Sequence, residues 1–185
     1  MKKLTLKLFV MRSFVGVVLL FGQTVLALSD HLLVSGTAKD INTGEVVYRE
    51  YHDITPQLHT VRYVDPDNAL IATKEIHYEH GYTTPEYTLY DKRFDRRTGS
   101  QWQDGLFIIF KQDGSSKKHE KVLKNAPDLV IDAGFDYFIR TQHAELADGK
   151  VLPFTFVVAD PLMALNMQLA SVSQLKTAIP DKSER

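Results

Sequence analysis

From Leu32 onward, apolar and polar residues alternate in short segments, and turn residues interrupt these segments about every ten residues, as in antiparallel meanders. A two-residue period places successive side chains on opposite faces of a β-strand. The candidate strands are residues 32–40, 46–53, 57–64, 69–79, 87–94, 106–112, 118–124, 151–160 and 165–172. The predicted turns include Asn42-Thr43-Gly44, Asp65-Pro66-Asp67-Asn68 and Arg97-Thr98-Gly99. This pattern predicts an antiparallel sheet of about eight or nine strands.

The period changes to that of a helix at one place in the chain. Apolar residues recur there at the spacing of one helix face, at Phe135, Phe138, Ile139 and Leu146. Asp132 is expected to cap the first turn, and Gly149 to end the helix in a left-handed conformation. We therefore predict one main α-helix over about residues 132–148. Its other side carries Asp136, Arg140 and His143, which we expect to face solvent.

Strands followed by one helix and further strands are typical of an α+β domain. The apolar side of the helix requires a cover, and a curved sheet provides one. We predict a curved, mostly antiparallel, half-barrel-like sheet packed over the helix. Pro153 lacks the N–H that a strand donates, so its strand is expected to lie at an edge or to begin late.

The N-terminus has the three parts of a secretory signal peptide. Basic residues lie between Lys2 and Arg12 with no acid among them, an apolar run follows at residues 14–22, and Ala27 ends a small-residue exit. The run is about half of the ~20 apolar residues that cross a bilayer. We therefore predict cleavage near Ala27, export to the periplasm or beyond, and no membrane span in the mature chain. The predicted organisation is a signal peptide at 1–27, one β-rich domain at 28–172 and a polar tail at 173–185.

Charge and cysteine content exclude several functions. After cleavage, 18 basic residues remain against 23 acidic ones, a net charge of −5. Nucleic-acid binding by clustered positive charge is therefore not expected. The chain has no cysteine, which removes disulfides, thiol nucleophiles and thiolate metal sites.

Histidines suggest the sharpest catalytic alternative. His77 and Glu79 share one side of a predicted strand, and His80 follows it. His52 and His59 on neighbouring strands are further candidates for a zinc site, which needs three or four ligands. The motif H-E-x-x-H is absent, and the simpler interpretation is a solvent-facing sheet surface. No nucleophile motif such as G-x-S-x-G occurs, and no cofactor is expected.

Aromatic and aliphatic residues indicate a different site, an apolar cavity between sheet and helix. The predicted lining residues are Phe107, Ile109, Phe135, Phe138, Ile139, Leu146, Phe154 and Phe156. The same residues would also serve as an ordinary core, so both interpretations stay open.

Several stretches resemble a family of uncharacterised exported bacterial proteins. They are GTAKDINTGEVVYREYH (36–52), VRYVDPDNALIATKEIHY (61–78) and DLVIDAGFDYFIRTQHAEL with PFTFVV (128–158). The layout is also similar to the half-barrel of periplasmic lipoprotein carriers, a likeness of fold that implies little about function.

Three functions follow from the sequence. We favour a non-catalytic periplasmic binding protein for an apolar or lipid-like ligand. The alternatives are an envelope interaction module that offers an exposed sheet edge to a protein partner, and a metal-assisted hydrolase.

Overall fold

The computed structural model describes residues 31–124 and 127–171. The predicted signal peptide and the predicted polar tail lie outside the described residues. Within them, an eight-stranded sheet carries a second, three-stranded sheet, and one short helical segment packs on the smaller sheet. The predicted class, a curved and mostly antiparallel α+β fold, is confirmed.

The large sheet is a meander in which every strand pairs with the next one in sequence. All seven pairings are antiparallel, as the turn spacing predicts. Its strands are β1 (Leu32–Lys39), β2 (Val46–Ile54), β3 (Leu58–Val64), β4 (Leu70–His77), β5 (Glu86–Asp91), β6 (Arg96–Gln103), β7 (Leu106–Asp113) and β8 (His119–Leu123).

Two predicted turns are confirmed. Asn68 N–H donates to the carbonyl of Asp65 over 3.0 Å, which closes the β3–β4 hairpin. The Asp65 side chain also accepts from the N–H of Asp67 and of Ala69, as an aspartate at the start of a turn commonly does. Gly44 has a φ of 73°, the left-handed conformation expected of it between β1 and β2.

The turn predicted at Arg97-Thr98-Gly99 is wrong, because these residues lie inside β6. The chain reverses earlier, between β5 and β6, where Asp95 has a φ of 45°. Gly99 serves close packing. A Cβ there would overlap the carbonyl oxygen of Tyr87 and come within 2.9 Å of the Phe110 ring. Glycine in this stretch therefore indicates a tight contact between strands.

The small sheet has the order β11-β10-β9, with β9 parallel to β10 and β11 antiparallel to it. Its strands are β9 (Leu129–Ile131), β10 (Leu152–Val158) and β11 (Met163–Leu169). Pro153 lies outside the register of β9, which meets β10 from Thr155 to Val157, so its missing N–H leaves that ladder intact.

The helical segment between β9 and β10 has nearly the predicted bounds but is divided. A 3₁₀ turn at Asp132–Gly134 leads into α1 (Phe135–Thr141), and α2 (His143–Ala147) follows Gln142. Asp132 makes no capping hydrogen bond, so the predicted cap is wrong. Its carboxylate lies near Tyr87 of the large sheet instead, where burial and this carboxylate raise the pKa of the tyrosine hydroxyl. Gly149 has a φ of 81° and ends the segment as predicted.

The main core lies between the two sheets. We call the face of the large sheet that carries the small sheet the inner face. Phe107 and Ile109 of β7 are fully buried on it, against Ile131 of β9 and Val157 of β10. Asp160, just after β10, accepts from Arg96 at 3.0 Å and from Lys111 at 2.8 Å, so ion pairs join the two sheets beside this core.

We expect Gly99→Ala to lower the free energy of unfolding by about 1–3 kcal/mol, the usual cost of forcing an extra methyl group into a packed site. The obstacle is the backbone of β5, which a rotamer change cannot move aside. Urea denaturation measures the loss. Gly36→Ala is the matched comparison and should cost less, because its methyl group meets only side-chain atoms, those of Glu50, which can shift with the loss of a contact to His52. Equal losses in the two variants would contradict this reasoning.

Candidate functional site

The eight residues predicted to line one cavity lie in two layers. Phe107 and Ile109 belong to the core between the sheets and are 0% exposed. Phe154 and Phe156 alternate with Val157 along β10, so they point to the other side of the small sheet. Phe135 and Phe138 of the helix meet them on that second side. The ligand-lining role of these residues stays a prediction.

The outward side of the small sheet is apolar along its whole length, and we call it the apolar face. Residues directly opposite in an antiparallel pair share a face, and the register of β10 and β11 therefore defines its members. They are Leu152, Phe154, Phe156 and Val158 on β10, and Met163, Leu165, Met167 and Leu169 on β11. No residue in this set is polar or charged.

Helix α1 covers the β10 half of the apolar face. The Phe135 ring lies 5.9 Å from that of Phe154 and 5.3 Å from that of Phe156, measured between centroids. Phe138 lies 4.9 Å from Phe154, which is left 3% exposed. Ile139 of α1 and Leu146 of α2 are half-buried. The predicted amphipathic character of the helix thus serves to cover β10.

The β11 half of the apolar face is open. Met163 is 40% exposed and Met167 is 38% exposed, while Leu165 between them and Leu169 at the end of the strand are half-buried. Contiguous exposed apolar patches on proteins are often interaction sites. The sequence carries a signal for it, because Leu165, Met167 and Leu169 alternate with polar residues. Alternation alone does not reveal whether such a face is covered.

A second group of functional side chains, which we call the histidine row, crosses the inner face beside β2 and β3. It consists of Glu50, His52, His59 and Tyr78. His52 Nδ1 lies 2.8 Å from His59 Nε2, and His59 Nδ1 lies 3.3 Å from the Tyr78 hydroxyl. His52 Nε2 lies 3.4 Å from Glu50 Oε1. All four side chains are half-buried.

The carboxylate of Glu50 sets the direction of hydrogen bonding along the row. A carboxylate only accepts, so the proton of neutral His52 is best placed on Nε2. His52 Nδ1 then accepts from Nε2–H of His59, and His59 Nδ1 accepts from the hydroxyl of Tyr78. Each donor in the row thereby meets an acceptor, and one neutral proton arrangement satisfies all four groups.

The surroundings of His59 favour its neutral form. Burial, the neighbouring His52 and the Lys74 ammonium lower the pKa of His59 from 6.5 to about 4, against the opposing pull of Asp136 and Glu50. Burial likewise raises the pKa of Tyr78. The surroundings therefore favour the neutral form of the His59 imidazole at neutral pH.

The remaining candidates for a metal site do not join the row. His77 follows the buried Ile76 on β4 and so faces outward, where it lines a polar groove of about 280 Å³ with Glu75 and Glu86. His80 stacks on Trp102, with a centroid distance of 5.9 Å. Glu79 is exposed in the loop beside it. Within residues 31–124 and 127–171, no group of three or more histidines or acids is placed to hold a metal ion.

No protein-family model, no curated protein and no solved structure matches this chain. A function for this chain must therefore be inferred from the apolar face and the histidine row.

The two halves of the apolar face should differ in what they contribute to stability. We expect Phe154→Ala to lower the free energy of unfolding by about 3–5 kcal/mol, as for buried phenylalanines in general. Met167→Ala, at a side chain that is 38% exposed, should cost clearly less, under about 1 kcal/mol. Urea denaturation of the two variants tests this. A comparable loss for Met167→Ala would mean that the β11 half is also covered in the folded chain.

Proposed function

We propose that this chain is an exported, non-catalytic binding protein that holds an apolar, lipid-like ligand on the apolar face, beside helix α1. The observation that carries the proposal is the open β11 half of that face, where Met163 and Met167 remain 40% and 38% exposed. A ligand on this exposed apolar strip would contact β11 along its length and could also contact the phenylalanine-rich helix beside it.

The chemistry of the face favours an acyl chain or a similar ligand. The eight paired side chains include no hydrogen-bonding group, so recognition would come from shape and burial of apolar surface. Seven residues of β-strand extend over about 20 Å, which suits a long, thin ligand. Methionine side chains are flexible and polarizable, and they adapt to ligands of variable shape. The space between the two sheets is already filled by core residues, so the ligand would lie outside that core.

Export is supported by the basic N-terminus, the apolar run at residues 14–22 and the small residue Ala27. In the part of the chain that the structure describes, no helix is long and apolar enough to cross a membrane. The mature protein would meet lipids or lipoproteins in the cell envelope.

Native mass spectrometry of the protein purified from the envelope tests the proposal. We expect a bound species with the mass of a lipid, which organic extraction removes. Changing Met163 and Met167 together to glutamate should abolish it, since two carboxylates on the face would have to be desolvated by the ligand. Val122→Glu is the matched control, because Val122 is an apolar strand residue, 56% exposed, on the outer face of β8.

A protein that is folded and free of ligand when isolated, and that does not take up lipid from added micelles, would overturn the proposal. So would a bound lipid that persists in the double glutamate variant at the wild-type level.

A second candidate function is an envelope interaction module that pairs an exposed strand edge with a partner. It is favoured by β1, which ends the large sheet and carries Leu32 and Leu33 at 51% and 71% exposure. An edge strand offers unpaired N–H and C=O groups to another chain. The metal-assisted hydrolase has no comparable observation in its favour among the described residues.

Photo-crosslinking distinguishes this second candidate. A benzoylphenylalanine at Leu33 in the intact envelope should give one discrete adduct, whereas the same group at Leu106 should give none. Leu106 is 50% exposed but lies on β7, which has neighbours on both sides. Equal labelling from both positions, or none from Leu33, would count against edge pairing.

A further inference from the structure

A continuous set of contacts leads from the histidine row to helix α1. Tyr78, which bonds His59, lies 5.2 Å from the ring of Tyr82. Tyr82 stacks in turn on Tyr137 of α1, with centroids 4.5 Å apart and planes inclined by 17°. The row is thus connected to the polar side of the helix through three tyrosine rings.

The loop between β4 and β5, which contains Tyr82, also contacts the residues at the start of the helical segment. Ile131 N–H donates to the carbonyl of Thr83 over 2.9 Å. Gly134 lies so close to the carbonyls of Tyr82 and Thr83 that a Cβ would overlap both. The loop between β4 and β5 therefore holds the 3₁₀ turn by its backbone, while Tyr82 holds α1 by its ring. A displacement of this loop would therefore remove the contacts that position α1.

The histidine row tolerates one added proton and not two. With one added proton, the Tyr78 hydroxyl turns from donor to acceptor and the imidazoles keep their shared hydrogen bond. With two, His52 Nδ1 and His59 Nε2 both carry hydrogen at a separation of 2.8 Å, and neither has a lone pair to accept. The two rings must then separate.

We infer that the histidine row is an acid-sensitive fastening of helix α1, which protonation releases through Tyr78, Tyr82 and Tyr137. Charged groups around the row either favour or oppose the protonation of His59. Glu50 of β2 and Asp136 of α1 attract added protons, and Lys74 of β4 repels them. Arg140 of α1 acts on Tyr78, whose hydroxyl ends the row.

The pH range follows from His59, because its protonation beside a protonated His52 places hydrogen on both facing nitrogens. Its pKa is lowered from 6.5 to about 4 in the fastened state, chiefly by burial, and returns toward 6.5 when the ring is released into solvent. The released state therefore binds the proton more readily. The fastening is at full strength above about pH 6.5, weakens as the pH falls, and stops weakening below about pH 4.

Release of α1 would also open the covered half of the apolar face, because Phe135 and Phe138 pack there from the opposite side of the helix. This consequence for a ligand rests on the proposed function. The release of the helix itself does not depend on the proposed function, and it is measured without any ligand.

Hydrogen exchange of the delipidated protein between pH 7 and pH 4, corrected for the intrinsic exchange rate, tests the fastening. We expect peptides covering residues 135–141 to lose protection by at least about tenfold, since each unit of pKa difference between two states changes their ratio tenfold. Peptides of β7 should keep theirs, which separates local release from global unfolding. His59→Gln should remove the pH dependence, because a glutamine amide does not titrate in this range. His143→Gln, at an exposed histidine of α2, should leave it intact.

A pH dependence that survives in His59→Gln, or constant protection of α1 in the wild-type protein, would overturn the inference. Histidine ring titrations of the wild-type protein by NMR provide a check that needs no variant. One ring of the His52–His59 pair should titrate far below 6.5, and two ordinary titrations would refute the fastening. A lost fastening with a bound lipid still present would leave the proposed function standing.

Discussion

The packing of β9 and β10 against β7 is the contact on which the rest of the structure depends. An antiparallel meander with one wet face must bury the other, and here Ile131 and Val157 cover Phe107 and Ile109 completely. Full burial of each such side chain stabilises the fold by about 1.5–3 kcal/mol. The contact also fixes where the chain between β9 and β10 can go, and that connection is the helical segment.

The helix takes its place from this arrangement. Its phenylalanines meet β10 on the side turned away from the large sheet, while Tyr137 on α1 reaches the loop after β4. One short helix thereby separates two environments of opposite chemistry. The apolar face lies on one side, and the half-buried histidine row lies across the other. Because α1 contacts the apolar face directly and the histidine row through tyrosine rings, a structural change at one of these regions can alter the other.

The ligand cavity expected from the resemblance to lipoprotein-carrier half-barrels meets a physical obstacle. In such an architecture the space inside the curved sheet would hold the ligand, but here β9 and β10 fill part of it and the histidine row occupies part of the rest. Half-buried imidazoles and a lysine on the inner face make that region unsuitable for an acyl chain. On the small sheet, by contrast, Met163 and Met167 leave apolar surface exposed outside the main core.

Two-residue alternation and turn chemistry are local properties, so the sequence predicted nine of the eleven described strands, most turns and the class of the fold. It missed the short β9, and it missed β6 because Gly99 beside Arg97 and Thr98 has the composition of a turn, which only the neighbouring Tyr87 and Phe110 explain. It also identified four phenylalanines that meet between the helix and the small sheet, but grouped Phe107 and Ile109 with them. The parallel pairing of β9 with β10 follows from tertiary packing. So does the contact between His52 and His59, whereas His77 points away from both. These outcomes depend on which elements pack together, and no local period encodes that choice.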